Sequence, residues 1–161
     1  MRKYLALFGL AALCALAGPG LADDPPIVAS EAWARPTLTG TRTGAVYLML
    51  SNRGATADHL VGVSTAVADR AELHEDVTKN GMMSMNAVPD LLLTPRASTA
   101  IEPGRYHIML IGMKKSVNVG ESFSITLTFA MAPPLEVTVA VTRTPPKSAS
   151  ATPGSMPKKM P

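Results

Sequence analysis

Between Ile27 and Val141 the apolar and polar residues alternate in short runs with a period of two. About eight runs stand out: "IVASEAWA", "GAVYLMLSN", "HLVGVST", "AELHEDV", "MMSMNAV", "YHIMLIG", "SFSITLTFA" and "LEVTVAVT". Turn signals separate them, among them "TGTRTG", "NRGATAD", "KNG", "PRAS", "EPGR" and "NVGE". In "SITLTF", Ile125, Leu127 and Phe129 alternate with Ser124, Thr126 and Thr128, as in a strand with one buried face. The last run does the same, with Leu135, Val137, Val139 and Val141 set against Glu136, Thr138 and Ala140. No stretch sustains the period of an amphipathic helix. Short strands at this spacing, without internal repeats, predict an all-β chain folded as an antiparallel β-sandwich.

One turn fixes a register. Asn-Gly in "KNG" tolerates positive φ at both central positions and suits a two-residue hairpin. It puts His74 on one strand and "MMSM" on the return strand, where Met83 and Met85 share a face and Met82 points away. In "HIM", His107 and Met109 likewise share a face, about 6.6 Å apart along the strand, and Ile108 and Leu110 take the other.

The ends of the chain differ from this body. Residues 1–22 read as a secretory signal, with basic Arg2 and Lys3, the apolar run "YLALFGLAALCALAG" and small residues Gly20 and Ala22 before Asp23. Cleavage is expected after Ala22; lipid attachment at Cys14 is disfavoured by bulky Leu13 before it. The apolar run is short for a membrane anchor, which needs about 20 residues, so no stable membrane insertion is expected. Cys14 is the only cysteine, so the mature chain is expected to have neither disulfide nor thiol chemistry. Residues 144–161, "TPPKSASATPGSMPKKMP", offer little to bury and read as a disordered tail. The net charge of +3 belongs to these ends. Residues 23–143 carry 10 Lys+Arg against 12 Asp+Glu, a balance of 10 − 12 = −2, with no basic patch that speaks for nucleic acid. About 120 residues remain for one domain and one core.

The candidate chemistry lies in the histidines and methionines. A lone Met on a strand face is more often packing than ligand, and a lone hairpin His is more often a surface residue. Met82, Met49 and Met113 are read as filler or packing and Trp33 as a core plug; Met83, on the face of Met85, is read as a wall beside the site, with an alternate-donor role left open. His59 is read as a solvated loop residue. Glu75 and Asp76 adjoin His74; orienting its ring is one role open to them, but solvated acidic surface residues are the commoner case. Met156 and Met160 have no His beside them and form no strong site.

Four residues stand apart by their spacing: His74, ten residues, Met85, twenty-one residues, His107, one residue, Met109. That spacing resembles the metal-binding signature of PCuAC, a family of periplasmic copper chaperones. "EAWARPTLTGTRTGAVYLMLSNRG" resembles the family's opening segment, "AELHE" its first ligand strand, "GMMSM" its second, and "PGRYHIMLIGMKKSVNVGESFSITLTF" its closing stretch. The similarity covers roughly residues 27–141. It implies a Greek-key, cupredoxin-like β-sandwich binding Cu(I) through His74, Met85, His107 and Met109. It also implies delivery to the binuclear copper centre of cytochrome c oxidase subunit II, in company with a Sco-type thiol protein.

Ligand chemistry agrees. Thioether sulfur and imidazole suit the soft Cu(I) ion, whereas Zn(II), Mg(II) and Ca(II) favour thiolate or harder donors. Two imidazoles and two thioethers are neutral, so a divalent ion would leave two charges and no carboxylate among the ligands to offset them. A blue-copper electron carrier needs a Cys thiolate, which the mature chain lacks. No nucleophile elbow, metalloprotease helix or phosphate loop is present, and the chain is not expected to be an enzyme. Two other readings compete with the chaperone: a periplasmic copper-buffering or resistance protein, and a metal-free β-sandwich interaction module.

Overall fold

The computed structural model describes residues 26–146. The expected signal at 1–22 and the expected tail beyond residue 146 lie outside them. Ten strands follow in order: β1 (Ile27–Ala34), β2 (Thr43–Asn52), β3 (Asp58–Thr65), β4 (Ala68–Lys79), β5 (Met82–Ala87), β6 (Leu91–Leu93), β7 (Ala97–Ile101), β8 (Tyr106–Met113), β9 (Ser122–Phe129) and β10 (Leu135–Val141). Among the described residues no helix is long and apolar enough to cross a membrane.

All eight expected strands are present, most within a residue or two of their expected bounds. Two more were not expected. In β6 the run Leu91–Leu93 is too short to display alternation, although Leu91 and Leu93 are buried and Leu92 is exposed. The turn read at "PRAS" ends at Arg96, which adopts positive φ, and Ala97 and Ser98 already belong to β7.

The strands pair in the order β5-β4-β8-β2-β1-β10-β9-β3-β6, with β7 on β2. A single bridge, Val63 to Ala71, joins β3 to β4 and closes the sheet on itself. Strand β2 divides its free edge between two partners, pairing with β8 through Thr43–Val46 and with β7 through Leu48–Asn52. One pair departs from the antiparallel expectation: β1 runs parallel to β10, with Trp33 beside Ala140 and Ala34 beside Val141. A bulge between Ser30 and Trp33, with Glu31 at positive φ, re-aims the end of β1 toward that contact.

Alternation places the core. Phe123, Ile125, Leu127 and Phe129 of β9 and Val137, Val139 and Val141 of β10 are buried, as the sequence pattern requires. They meet Val46, Leu48, Leu50, Ile108 and Leu110, and each such side chain taken from water contributes about 1.5–3 kcal/mol. Trp33 is buried but outside this cluster. It sits on the opposite face of the sheet, its ring 4.8 Å from that of Tyr47 and tilted by 34°, so it plugs the outer face rather than the core. The carboxylate of Asp58 is the chief polar anchor: it accepts N–H bonds from His59 (2.7 Å), Met131 (3.0 Å) and Ala132 (2.8 Å), tying β3 to the turn after β9.

Candidate metal centre

The β4–β5 hairpin closes as its sequence dictates. Asn80 (φ 53°) and Gly81 (φ 76°) both take positive φ, and Lys79 pairs directly with Met82. This sets Asp76 opposite Met85, Thr78 opposite Met83 and His74 opposite Ala87. On its other edge β4 pairs with β8, where His74 lies opposite His107 and Glu72 opposite Met109. Strand parity therefore puts Glu72, His74, Asp76, Met83, Met85, His107 and Met109 on one face of three adjacent strands. Ile108, Leu110 and Leu73 face the core on the other side. The same face continues into β2 through Ala45, opposite Met109, and Tyr47.

Met85, Met83, Asp76, His107, Met109 and Tyr47 line an open cleft of about 580 Å³. Its far wall is the loop Arg35–Thr41, pinned by a bond from the Thr37 N–H to the Val117 carbonyl and one from the Val117 N–H to the Thr37 hydroxyl, both 3.0 Å. His74 lies beside this cleft rather than on its wall, its ring 5.7 Å from that of His107 and inclined at 58°. All four residues singled out by spacing thus come to one face, and three of them share one cavity.

Exposure is graded across the site. His107 is only 7% exposed, whereas Met85 is 51% and Met83 73% exposed. His74 Nδ1 is buried and has no hydrogen-bond partner among the described residues. Such an atom is costly to leave unsatisfied. Burial holds the His107 pKa below the ordinary value of 6.5, the nearby Asp76 carboxylate opposing and His74 assisting the shift. Burial likewise raises the Tyr47 pKa; Arg35 works against that and Asp76 with it, so the phenol stays neutral.

Several readings from the sequence change here. The sequence pattern does not single out Glu72, yet its carboxylate lies 3.2 Å from His74 Nε2; Asp76 stands 3.6 Å from His107 Nδ1. The parity of Glu72 and Asp76 with His74 in "AELHEDV" is the signal that finds them. Glu75 has the opposite parity and pairs with Tyr106 and Asn86 on the other face. The ligand face therefore does carry carboxylate charge beside the imidazoles, contrary to the balance drawn from the four residues alone. His59 is not a loop residue; it lies in β3 opposite Leu92, and its Nδ1 pairs with the Asp90 carboxylate. Met113 is packing, buried against Gly44. Met82 is exposed on the face away from Met83 and Met85.

Fold and cleft together define a small all-β domain of the cupredoxin-like class, with imidazole and thioether side chains gathered at one face. Residues 27–141 match the family described as "Putative lipoprotein LpqE-like". The chain belongs to that family, which is the PCuAC family. It is 33% identical over 123 residues, 73% of each chain, to a protein of Leifsonia xyli subsp. xyli named "Putative lipoprotein Lxx21020". Among solved structures it resembles the apo PCuAC domain from PmoF1, with a TM-score of 0.63, 25% identity and coverage of 74% of this chain and 96% of that one. It also resembles the solution structure of CuI-DR1885 from Deinococcus radiodurans, with a TM-score of 0.60, 29% identity and coverage of 76% and 82%.

Proposed function

We propose that this protein binds Cu(I) outside the cytoplasm through His74, Met85, His107 and Met109 and hands it on as a chaperone. One observation carries the reading. His74 and His107 are cross-strand neighbours on a face shared with Met85 and Met109, and a buried nitrogen of His74 has no partner. Two imidazoles and two thioethers suit soft Cu(I), the form in which a solved relative was determined. The names of the family and of the Leifsonia relative speak for export, here by the segment at 1–22 with cleavage after Ala22.

The graded exposure favours transfer over storage. The buried His107 end anchors the ion, while the exposed Met85 offers the side from which an acceptor's ligand can enter a shared-ligand intermediate. A pure buffer has no use for so open an edge. The recipient in this reading is the binuclear copper centre of cytochrome c oxidase subunit II. Without a thiol of its own the mature chain cannot reduce that centre's cysteines, so a Sco-type thiol protein completes the step.

Anaerobic Cu(I) competition against a chromophoric chelator tests the site. The paired substitution His107→Ala and Met109→Leu is expected to weaken binding by about 100-fold, or about 2.8 kcal/mol at 1.4 kcal/mol per decade. Undiminished affinity in a folded double variant refutes the ligand set. Loss of the protein is expected to lower oxidase activity at limiting copper; unchanged activity there would leave copper buffering as the function.

A further inference from the structure

Strand β4 does more than supply His74. Glu72, His74 and Asp76 recur at every second position on one face, and the two acids contact the two imidazoles at different nitrogens. Glu72 Oε2 lies 3.2 Å from His74 Nε2. Asp76 Oδ2 lies 3.6 Å from His107 Nδ1, and both of those side chains are largely withdrawn from solvent. Glu72 is itself held, because Arg70 Nη1 donates to its other oxygen at 3.0 Å.

An ionised carboxylate accepts hydrogen bonds and attracts a nearby N–H, so the nitrogen beside it is the one that carries the proton. Glu72 does this by a hydrogen bond; Asp76, just beyond hydrogen-bond length, does it by its charge across a buried gap. In a neutral imidazole the other nitrogen then keeps the lone pair. For His74 the lone pair falls on Nδ1, the buried atom that has no protein partner. For His107 it falls on Nε2. The two acids thus select opposite tautomers in two neighbouring rings.

We infer that Glu72 and Asp76 are positioning residues for the copper site, presetting His74 to donate through Nδ1 and His107 through Nε2. This rests on the copper reading above and deepens it. Left alone, each neutral ring would exchange between tautomers and present a lone pair to the ion only part of the time. The acids remove that loss before copper arrives and offset the positive charge that the neutral ligand set leaves on the bound ion. Glu75, one position along the same strand but on the opposite face, has no such role.

The test begins with the metal-free protein, where long-range ¹H–¹⁵N correlation spectra at pH 7.5 report which ring nitrogen is protonated. The wild type is expected to show His74 protonated at Nε2 and His107 at Nδ1. Glu72→Gln should convert only the His74 signals to a tautomer mixture, and Asp76→Asn only those of His107. Glu75→Gln should alter neither ring. Cu(I) affinity, measured by chelator competition, should fall about 10- to 100-fold in each of the first two variants, the usual effect of losing an outer-shell partner. Either wild-type ring in the opposite tautomer, or populations unmoved by both neutralising substitutions, overturns the inference. Tautomers as assigned in a wild type that fails to compete for Cu(I) would overturn the copper reading alone, because the spectra are recorded without metal.

Discussion

Burial of the His107 imidazole makes its protonation the pH-sensitive event at the site. Its pKa lies below 6.5 because desolvation outweighs the attraction of Asp76. In the unfolded chain the ring takes up its proton near 6.5, while the folded protein resists it until lower pH. The metal-free protein is therefore expected to lose stability as pH falls through 6.5, with the loss levelling off below the folded pKa and no contribution from this group above 6.5. Urea unfolding from pH 5 to 7.5 checks this, and His107→Gln should remove that part of the slope. If His107 is a copper ligand as proposed, binding requires its neutral ring, so affinity should hold through 6.5 and weaken below it. At this scale the sequence singled out, by residue type and spacing, four side chains that the fold brings to one face. It was a poorer guide to their neighbours. Glu72 and Glu75 look alike in "LHEDV" and its flank, and only strand parity places one on the ligand face and the other behind it.

The β4–β5 hairpin is the element on which the site depends most and the core least. Every residue of β5 is exposed, so Met85 is held by ladder hydrogen bonds and the turn rather than by buried area. Gly81 stands at φ 76° with open space around it, so a Cβ there would meet no neighbour but would strain the backbone. Gly81→Ala is expected to cost about 1 kcal/mol at the hairpin tip. That cost should appear locally: amide exchange across Met82–Met85 about fivefold faster, with the global unfolding midpoint nearly unchanged. Unaltered exchange would mean that the turn does not set the register of Met85. Asn-Gly between two alternating runs made this hairpin legible, because the dipeptide encodes the turn chemistry locally. Strands β6 and β7 were not legible for the converse reason. Three residues cannot display a period, and β7 exists because β2 offers it an edge.

Closure of the sheet and the Asp58 anchor belong to the molecule as a whole. Asp58 comes from the start of β3 but satisfies N–H groups of residues more than 70 positions away. Burial alone would raise its pKa; the bonds from Ala132, His59, Met131 and Ala130 outweigh that and hold it below the ordinary 3.8. A depressed carboxylate contributes stability that is present above the unfolded pKa and lost as pH falls through the folded one. Asp58→Asn is expected to destabilise the protein at pH 7 by about 2–4 kcal/mol, given about 1.5–3 kcal/mol for a hydrogen bond to a charged group. Below pH 3.8 the gap between variant and wild type should narrow, which urea midpoints from pH 2.5 to 7 would reveal. A gap that stayed constant over that range would show that the charge of Asp58 is not what holds the turn.

Local pattern by itself determined the strand class, the buried faces of β9 and β10, the hairpin at Asn80-Gly81 and the pairing of His107 with Met109 on one face. Each follows from the two-residue period of a strand or from turn chemistry, and neither needs distant information. The tertiary structure alone decided that β4 lies between β5 and β8, and with that the meeting of His74 and His107, the recruitment of Glu72 and Asp76, and the parallel contact of β1 with β10. Those are matters of which strand edges meet, and edge pairing is settled by closing one core over the whole chain.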